Sequence, residues 1–182
     1  MKHYLRFIPN LISLIRISLV IPTVLNLLAG KYIFALILFA IASVSDAVDG
    51  FLARFFKWQT DLGKILDPVA DKLLMIGSIT ALWLNQIVPL SVFVIFVFRD
   101  LLILLGAAFE MSITEKTPSP NLIGKITTTS QIIYIIVLII FEIFYVDINV
   151  QIFHILIGFI SLLSLMSYFR WWLNNNFIKQ NV

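Results

Sequence analysis

Five aspartates fall within one short segment of the chain, SDAVDGFLARFFKWQTDLGKILDPVADK, which spans residues 45–72. Asp46 and Asp49 are three residues apart, and Asp67 and Asp71 are four residues apart. Side chains at these spacings lie on one face of a helix, so each pair would present two carboxylates together. Asp61 lies outside both pairs, and we expect it to be solvated in the connection between two helices.

Four carboxylates that converge on one pocket need a positive charge nearby, because like charges repel and burial disfavours the ionised form. Divalent cations with oxygen ligands fit best, since the chain has no cysteine and both histidines are distant in sequence. Two such ions would clamp a phosphoryl or pyrophosphate group. Gly50 would let a ligand approach the backbone, and Arg54 could contact phosphate oxygens. The alternative, a solvated acidic face balanced by lysines and arginines, explains one aspartate better than four.

Membrane helices are the elements that must position these residues. The chain has 182 residues, of which 60% are hydrophobic and 13% charged, and its mean hydropathy is +1.01. A soluble protein of this size could not bury so much apolar surface. Six segments approach the roughly 20 residues that a spanning helix needs, and they cover about 8–29, 32–52, 68–88, 89–111, 124–146 and 150–173.

We therefore predict an all-α integral membrane protein with six transmembrane helices, built as a single domain over residues 1–182. Pro68 would open the third helix, because proline lacks the N–H that is unpaired in a first turn. Gly63 would permit a turn in the connection that precedes it.

Lysine and arginine are distributed unevenly over the predicted connections. With the N-terminus in the cytoplasm, the cytoplasmic side collects almost all of them, and the opposite side has Lys31 alone. This asymmetry predicts cytoplasmic N- and C-termini and an active site on the cytoplasmic side of the bundle. In a bacterium the membrane would be the inner membrane. The same bias accounts for the pI near 9.3, so we predict no nucleic-acid partner.

The acidic segment matches the pattern D-x2-D-G-x2-A-R-x8-G-x3-D-x3-D at every fixed position, from Asp46 to Asp71. On these residues the chain resembles the CDP-alcohol phosphotransferases. Two further elements resemble that family, namely PNLISLIR from Pro9 to Arg16 and GKITTTSQ from Gly124 to Gln131. The resemblance covers the whole chain, because the family core also has six membrane helices.

The resemblance implies that a phosphatidyl group passes from CDP-diacylglycerol to an alcohol and that CMP leaves. It implies two divalent cations, Mg²⁺ or Mn²⁺, and often a homodimer. By position in the motif, the metal ligands are Asp46, Asp49, Asp67 and Asp71, and Asp71 is also the catalytic base that takes the proton of the alcohol. The CDP-lipid-binding residues carried over in the same way are Asn10, Ser13, Gly50, Arg54 and Thr60.

The fourth predicted helix bears on the acceptor alcohol, because it contains FRDLLILLGAAFEM. Phosphatidylglycerophosphate synthases, which the chain resembles in length and in LGKILDPVADK, usually have RE here and a second arginine two turns later, where this chain has Ala107. RD followed by an apolar run is more similar to eukaryotic-type cardiolipin synthases. We therefore favour phosphatidylglycerol as the acceptor, with sn-glycerol 3-phosphate as the alternative.

Arg99 and Lys125 are the candidate acceptor-binding residues. Arg99 could instead form an ion pair with Asp100, and Lys125 could be a snorkelling residue at a helix end. Both interpretations stay open at this stage. A small membrane transporter is the alternative from another functional class, because transporters also carry intramembrane Asp and Arg. A transporter would not need its aspartates to share one cytoplasmic pocket with Gly50 and Arg54.

Overall fold

The structure is a computed structural model that describes the backbone of residues 8–56, 61–114, 122–146 and 149–173. It describes side chains within 11–45, 56, 69–106, 122–146 and 149–170. Every regular element in this part of the chain is an α-helix. There are six in order: α1 (Ile8–Leu28), α2 (Tyr32–Phe55), α3 (Asp61–Leu84), α4 (Leu90–Thr114), α5 (Leu122–Phe144) and α6 (Gln151–Leu173).

The helices form two compact units. Unit 1 contains α1, α2, α3 and the C-terminal part of α5 from Ile136, and unit 2 contains α4, the N-terminal part of α5 to Ile135, and α6. The expectation of a single domain over residues 1–182 stays a prediction.

Unit 1 has an apolar interior in which α1 packs against both α2 and α3. Its fully buried side chains include Leu27 of α1, Phe39 of α2 and Leu82 of α3. Gly77 of α3 lies so close to α1 that an added Cβ would stand 2.8 Å from a methyl carbon of Val24. Small residues permit this close approach of membrane helices, whose association depends on packing.

Two helices of unit 1 end in the same backbone motif. At the end of α1, Gly30 has a φ of 69°, and the amides of Gly30 and Lys31 donate to the carbonyls of Leu27 and Asn26. At the end of α3, Gln86 has a φ of 61° and the amides of Gln86 and Ile87 donate to Trp83 and Leu82. This is the Schellman motif, which satisfies carbonyls that a helix C-terminus would otherwise leave unpaired. The Asn85 amide adds a 2.8 Å bond to the Leu27 carbonyl and so ties the two ends together.

Unit 2 differs from unit 1 in that many of its buried side chains are polar. α4 packs against α6, with Phe96 and Ile157 among the buried apolar residues. The buried polar side chains of this unit are Arg99, Asp100, Thr127, Gln131, His154, Ser161 and Ser164. Polar groups inside membrane helices are costly unless they are paired, so their arrangement indicates function.

Three described stretches are long and apolar enough to cross a membrane, namely Leu11–Leu28, Leu122–Phe144 and Gln151–Arg170. α2 contributes a shorter apolar stretch, Tyr32–Ser45. Large apolar side chains such as Ile21, Leu25 and Ile155 are exposed on the outer faces, which suits lipid and not water. The prediction of an all-α, multi-pass membrane protein with six helices is confirmed.

The prediction for the start of the third helix was wrong. α3 begins at Asp61, so Asp61 and Gly63 belong to its first turn and Pro68 lies inside it. Asp61 is therefore not in the connection, and Gly63 makes no turn there. An aspartate at a helix start is favoured by the helix dipole. Pro68 misled the prediction because membrane helices tolerate an internal proline. α1 shows the same tolerance at Pro22.

Candidate active site

The two pairs of aspartates lie on consecutive helices of unit 1. Asp46 and Asp49 belong to the C-terminal part of α2, and Asp67 and Asp71 belong to the N-terminal part of α3. Because the backbone is helical at all four positions, spacings of three and four residues place each pair on one helix face. The helical backbone that the spacing predicts is therefore present at both pairs.

The ends of these two helices cannot lie far apart. Five residues separate Phe55 from Asp61, and a chain of that length spans at most about 20 Å. α2 and α3 also contact each other, and both pack on α1. The short connection and the shared packing on α1 together keep the two acidic helix ends near each other.

Asp71 is the one aspartate of the four whose side chain the structure describes. It is half-buried, so its carboxylate is neither sealed in the core nor fully solvated. The side chains of Asp46, Asp49 and Asp67 lie outside the described residues. Among the side chains that are described, no group of three or more His, Cys, Asp or Glu could hold a metal ion, and the predicted ligand set falls mostly beyond that range.

α1 brings two polar side chains to the interior of the same unit. Ser13 and Arg16 are both fully buried and lie three residues apart, on the helix face that continues to Thr23 and Leu27. A buried guanidinium needs compensation by negative charge, and unit 1 contains the four aspartates. Arg16 is therefore a functional candidate, and pairing with the acidic segment stays a prediction for it.

The remaining CDP-lipid-binding predictions divide by position. Gly50 and Arg54 are on α2 and Asn10 is in the first turn of α1, but the structure does not describe their side chains. Thr60 lies outside the described residues. These contacts, and that of Ser13 with the CDP group, stay predictions.

Arg99 is held in a closed set of interactions within unit 2. Its Nη1 donates to Asp100 Oδ1 at 2.6 Å, and the exposed fractions of the two side chains are 2% and 0%. Its Nη2 donates to Ser164 Oγ at 2.9 Å and to the Gly124 carbonyl at 3.3 Å, and its Nε donates to Ser164 Oγ at 3.3 Å. The ion-pair interpretation of Arg99 therefore describes its state in this structure.

Lys125, the second acceptor candidate, is exposed near the start of α5. Its neighbour Gly124 supplies the carbonyl that Arg99 contacts, so both candidates belong to one end of unit 2. The role of either residue in acceptor binding stays a prediction.

Sequence reasoning missed several polar residues of unit 2. Gln131 and Ser161 are buried, and their side-chain polar atoms have no hydrogen-bond partner among the described residues. Tyr134 and His154 share a 2.6 Å hydrogen bond between the hydroxyl and Nδ1. Gln131 closes the GKITTTSQ element, which was the one signal that could have directed attention to it.

Comparison with known proteins shows which family the chain is similar to. The profile of the CDP-alcohol phosphatidyltransferase family matches residues 6–173. The CDP-diacylglycerol–glycerol-3-phosphate 3-phosphatidyltransferase of Aquifex aeolicus is 35% identical over 66% of this chain and 68% of its own length. The enzyme of the same name from Bacillus subtilis is 33% identical over 69% and 72%. The CMP-forming cardiolipin synthase of Streptomyces coelicolor is 30% identical over 66% of this chain and 59% of its own length.

The match extends from the first helix to the sixth and includes both acidic helix ends. The chain therefore belongs to the CDP-alcohol phosphatidyltransferase family, and it is a membrane enzyme of phospholipid synthesis.

Proposed function

We propose that the chain transfers the phosphatidyl group of CDP-diacylglycerol to phosphatidylglycerol, which yields cardiolipin and CMP. The observation that carries this choice of acceptor is the pairing of Arg99 with Asp100. A carboxylate at 2.6 Å from Nη1 neutralises the guanidinium, and Ser164 and Gly124 accept from Nε and Nη2. Arg99 therefore has little net charge to offer to an anionic acceptor.

The two candidate acceptors differ in the positive charge that they require. Glycerol 3-phosphate is a phosphomonoester, and such groups carry a charge of about −1.5 to −2 at pH 7. Phosphatidylglycerol is a phosphodiester with a single negative charge. Arg99 is neutralised and position 107 is alanine, so the exposed Lys125 is the remaining cation among the acceptor candidates. One remaining cation suits the singly charged acceptor, phosphatidylglycerol.

Glycerol 3-phosphate remains the second candidate, and the relatives favour it. The Aquifex aeolicus and Bacillus subtilis proteins, at 35% and 33% identity, are named for transfer to glycerol 3-phosphate. The cardiolipin synthase of Streptomyces coelicolor follows at 30%. These identities are too close to one another to choose the acceptor, so we base the choice on the charge of unit 2.

The aspartates fit a pair of divalent cations, Mg²⁺ or Mn²⁺. Both pairs lie on continuous helix, so each can offer two carboxylates on one face, and oxygen ligands are those that these ions prefer. Bound there, the cations would neutralise the pyrophosphate and the charge that develops on it. Asp46, Asp49, Asp67 and Asp71 would hold them.

The protein's own side chains would position the substrates and accept the proton. Asp71 is half-buried, so it can be reached by substrate while it is partly protected from water. It would take the proton from the attacking hydroxyl of the acceptor as the new P–O bond forms. Arg54, Gly50, Thr60, Asn10 and Ser13 would bind the CDP group.

The proposal includes a topology. An even number of spans and the concentration of Lys and Arg in the connections on one side support cytoplasmic termini, and in a bacterium the membrane would be the inner one. The acidic helix ends would then face the cytoplasm, where CDP-diacylglycerol presents its nucleotide. A homodimer is part of the same proposal and rests on the resemblance to the family.

The test is CMP release by the purified protein in lipid vesicles. CDP-diacylglycerol and Mg²⁺ or Mn²⁺ are supplied with either phosphatidylglycerol or glycerol 3-phosphate, and the lipid product is identified by mass spectrometry. We expect cardiolipin from the first acceptor at the higher kcat/KM. A higher kcat/KM for glycerol 3-phosphate would establish the second candidate, and the absence of CMP with any alcohol would refute the enzymatic proposal.

Asp71→Asn should lower CMP release by about a hundredfold or more, because general-base catalysis alone contributes a factor of about 10²–10⁴. Asp61→Asn is the matched control, since it removes an aspartate of the same helix that stands outside both pairs. It should retain activity. Equal losses in the two variants would contradict the role of Asp71.

A further inference from the structure

α1 and α3 run side by side through unit 1, and two contacts fix their register. A Cβ added to Gly77 of α3 would stand 2.8 Å from a methyl carbon of Val24 and 3.5 Å from one of Val20, both on α1. Further along, Nδ2 of Asn85 donates to the Leu27 carbonyl at 2.8 Å. Both helices advance in the same direction from the first contact to the second, so they are parallel. Gly77 lies level, along the helix axes, with the midpoint between Val20 and Val24.

This register brings Arg16 of α1 level with Asp71 of α3. Asp71 precedes Gly77 by six residues. Arg16 precedes the midpoint between Val20 and Val24 by the same number of residues. Because a helix rises about 1.5 Å per residue, both residues lie about 9 Å before the contact at Gly77. Val20 follows Arg16 by one turn, so Arg16 is on the face of α1 that meets α3.

Two other predicted metal ligands lie about one turn from this level. Asp67 is four residues before Asp71, which is about 6 Å along α3. On α2, Ser45 lines a groove together with Ile12 of α1, and Asp46 follows Ser45 directly. The backbones of Asp46 and Asp67 are therefore both close to the level of Ile12, four residues before the buried arginine of α1.

Arg16 is fully buried within Leu11–Leu28, a stretch long and apolar enough to cross a membrane. The Cα–Cβ bond of a helical residue tilts towards the N-terminus of its helix. The side chain of Arg16 therefore starts out towards the level of the acidic helix ends. A guanidinium buried inside a membrane helix is unfavourable unless negative charge lies nearby.

The acidic segment is the source of negative charge on this side of unit 1. Among the side chains that the structure describes in the unit, Asp71 and Glu142 are the acidic ones. Glu142 lines a cavity of about 200 Å³ together with Gly30 and Lys31. Gly30 is fourteen residues beyond Arg16, which corresponds to about 20 Å of helix. Glu142 is therefore at the opposite end of the unit.

We propose that Arg16 is the permanent counter-charge of the acidic site. This inference rests on the proposed function, which gives the site its two cations and its substrate. The charges of four carboxylates and two divalent cations cancel, which leaves Arg16 and Arg54 to balance the two negative charges of the pyrophosphate. Arg16 acts through charge and does not touch the reacting atoms. Its charge attracts the CDP-lipid and repels the cations, so its removal should weaken substrate binding and tighten cation binding.

The first measurement is Mn²⁺ binding to the purified, metal-free protein, followed by the electron paramagnetic resonance signal of free Mn²⁺. Arg16→Met should lower the Kd for Mn²⁺ about tenfold, because it removes a positive charge close to the ligands. Arg16→Lys keeps the charge and should keep the wild-type Kd. A residue needed only for packing would give the opposite result, since displaced ligands hold a cation more weakly.

The second measurement is CMP release at saturating Mn²⁺. Arg16→Met should raise the KM for CDP-diacylglycerol about tenfold, because one charge that balances the pyrophosphate is lost. Arg16→Lys should restore part of that loss. Thr23→Val is the matched control, because Thr23 is buried on the same helix and its hydroxyl donates to the Leu19 carbonyl at 2.7 Å. It should change neither the Kd nor the KM.

A double variant keeps the test decisive if Arg16→Met fails to fold. Arg16→Met combined with Asp71→Asn removes one charge of each sign, so it should fold with a melting temperature close to that of Asp71→Asn alone. A double variant that also fails to fold would show that Arg16 serves packing, and the inference would be overturned.

The outcomes separate this inference from the proposed function. If the wild-type protein releases CMP but Arg16→Met binds Mn²⁺ with an unchanged or higher Kd, the inference is overturned and the function stands. If the wild-type protein binds Mn²⁺ but releases no CMP with any alcohol, the function fails, and the two Kd values still support or overturn the counter-charge. A wild-type protein that binds no Mn²⁺ would overturn the inference as well.

Discussion

Replacing Asp100 by asparagine should destabilise the protein strongly, although the two side chains have nearly the same shape. Asp100 is fully buried, and its carboxylate is 2.6 Å from Nη1 of Arg99, which is 2% exposed. The substitution keeps an acceptor oxygen but removes the negative charge. Arg99 would then be a buried cation without its counter-ion.

The magnitude follows from the geometry of the pair. Two unit charges about 4 Å apart attract each other by about 4 kcal/mol at an effective dielectric constant of 20. Removal of one partner from a buried ion pair costs about 3–5 kcal/mol in measured cases. Ser164 and the Gly124 carbonyl would still accept hydrogen bonds from Arg99, which limits the loss to this range. For a chain of this length, that cost corresponds to a fall in melting temperature of about 6–20 °C.

The assay is unfolding of the purified protein in one detergent, followed by tryptophan fluorescence and circular dichroism. The variants Arg99→Met, Asp100→Asn and the double variant complete a thermodynamic cycle with the wild type. We expect each single variant to lose stability and the double variant to lose much less than their sum, because no buried charge remains in it. The coupling free energy should be about 3 kcal/mol, within the range found for groups in direct contact.

Two results would refute this reasoning. A melting temperature of Asp100→Asn within about 2 °C of the wild type would mean that Arg99 does not depend on Asp100, since about 1 kcal/mol corresponds to that shift. Additive losses in the double variant would mean that the two side chains act independently. Either result would also remove the basis for choosing phosphatidylglycerol as the acceptor, because Arg99 would then be available for a phosphate group.

Gly106→Ala should cost about 1–3 kcal/mol of stability, because its Cβ would stand 3.0 Å from Cζ and 3.1 Å from Cε1 of the Tyr168 ring and would also clash with the hydroxyl. Gly158→Ala is the control, because no atom lies within 4 Å of the added Cβ. It should be neutral or stabilise the protein by up to about 1 kcal/mol. Equal melting temperatures for the two variants would contradict the packing of Tyr168 on α4. Chelation of divalent cations should abolish CMP release with the helical circular dichroism signal retained, and Mg²⁺ or Mn²⁺ should restore it. Full activity after exhaustive chelation would contradict the metal-ligand role of the four aspartates.

The helices could be predicted from the sequence because each contains a long apolar run. The ends of the helices could not be predicted as well as their existence, because they lie where the chain passes from lipid into water. The start of α3 shows why: Pro68 is a common first-turn residue, yet seven residues that precede it are helical. The favourable placement of Asp61 at the helix start helps to offset one missing backbone hydrogen bond.

The helical backbone at the four aspartates could be predicted because spacings of three and four residues are close to one turn of helix. Their action as one site stays a prediction. Arg99 shows the limit of such reasoning. The sequence places it beside Asp100, but adjacent residues on a helix do not ordinarily face each other. Whether they pair depends on what surrounds them, and here Ser164 of α6 and Gly124 of α5 hold the guanidinium in place.

Gln131 and Ser161 show what the sequence could not reveal at all. A glutamine or a serine in an apolar helix can face lipid headgroups, bond to its own backbone or lie between helices. The sequence alone does not distinguish these three environments. The packing of α4, α5 and α6 decides among them, and it depends on contacts between residues that are 20 to 65 positions apart. Gln131 lies on the same face of α5 as Tyr134, and Ser161 lies on the same face of α6 as His154. The burial of both side chains follows from this packing, which hydropathy alone could not supply.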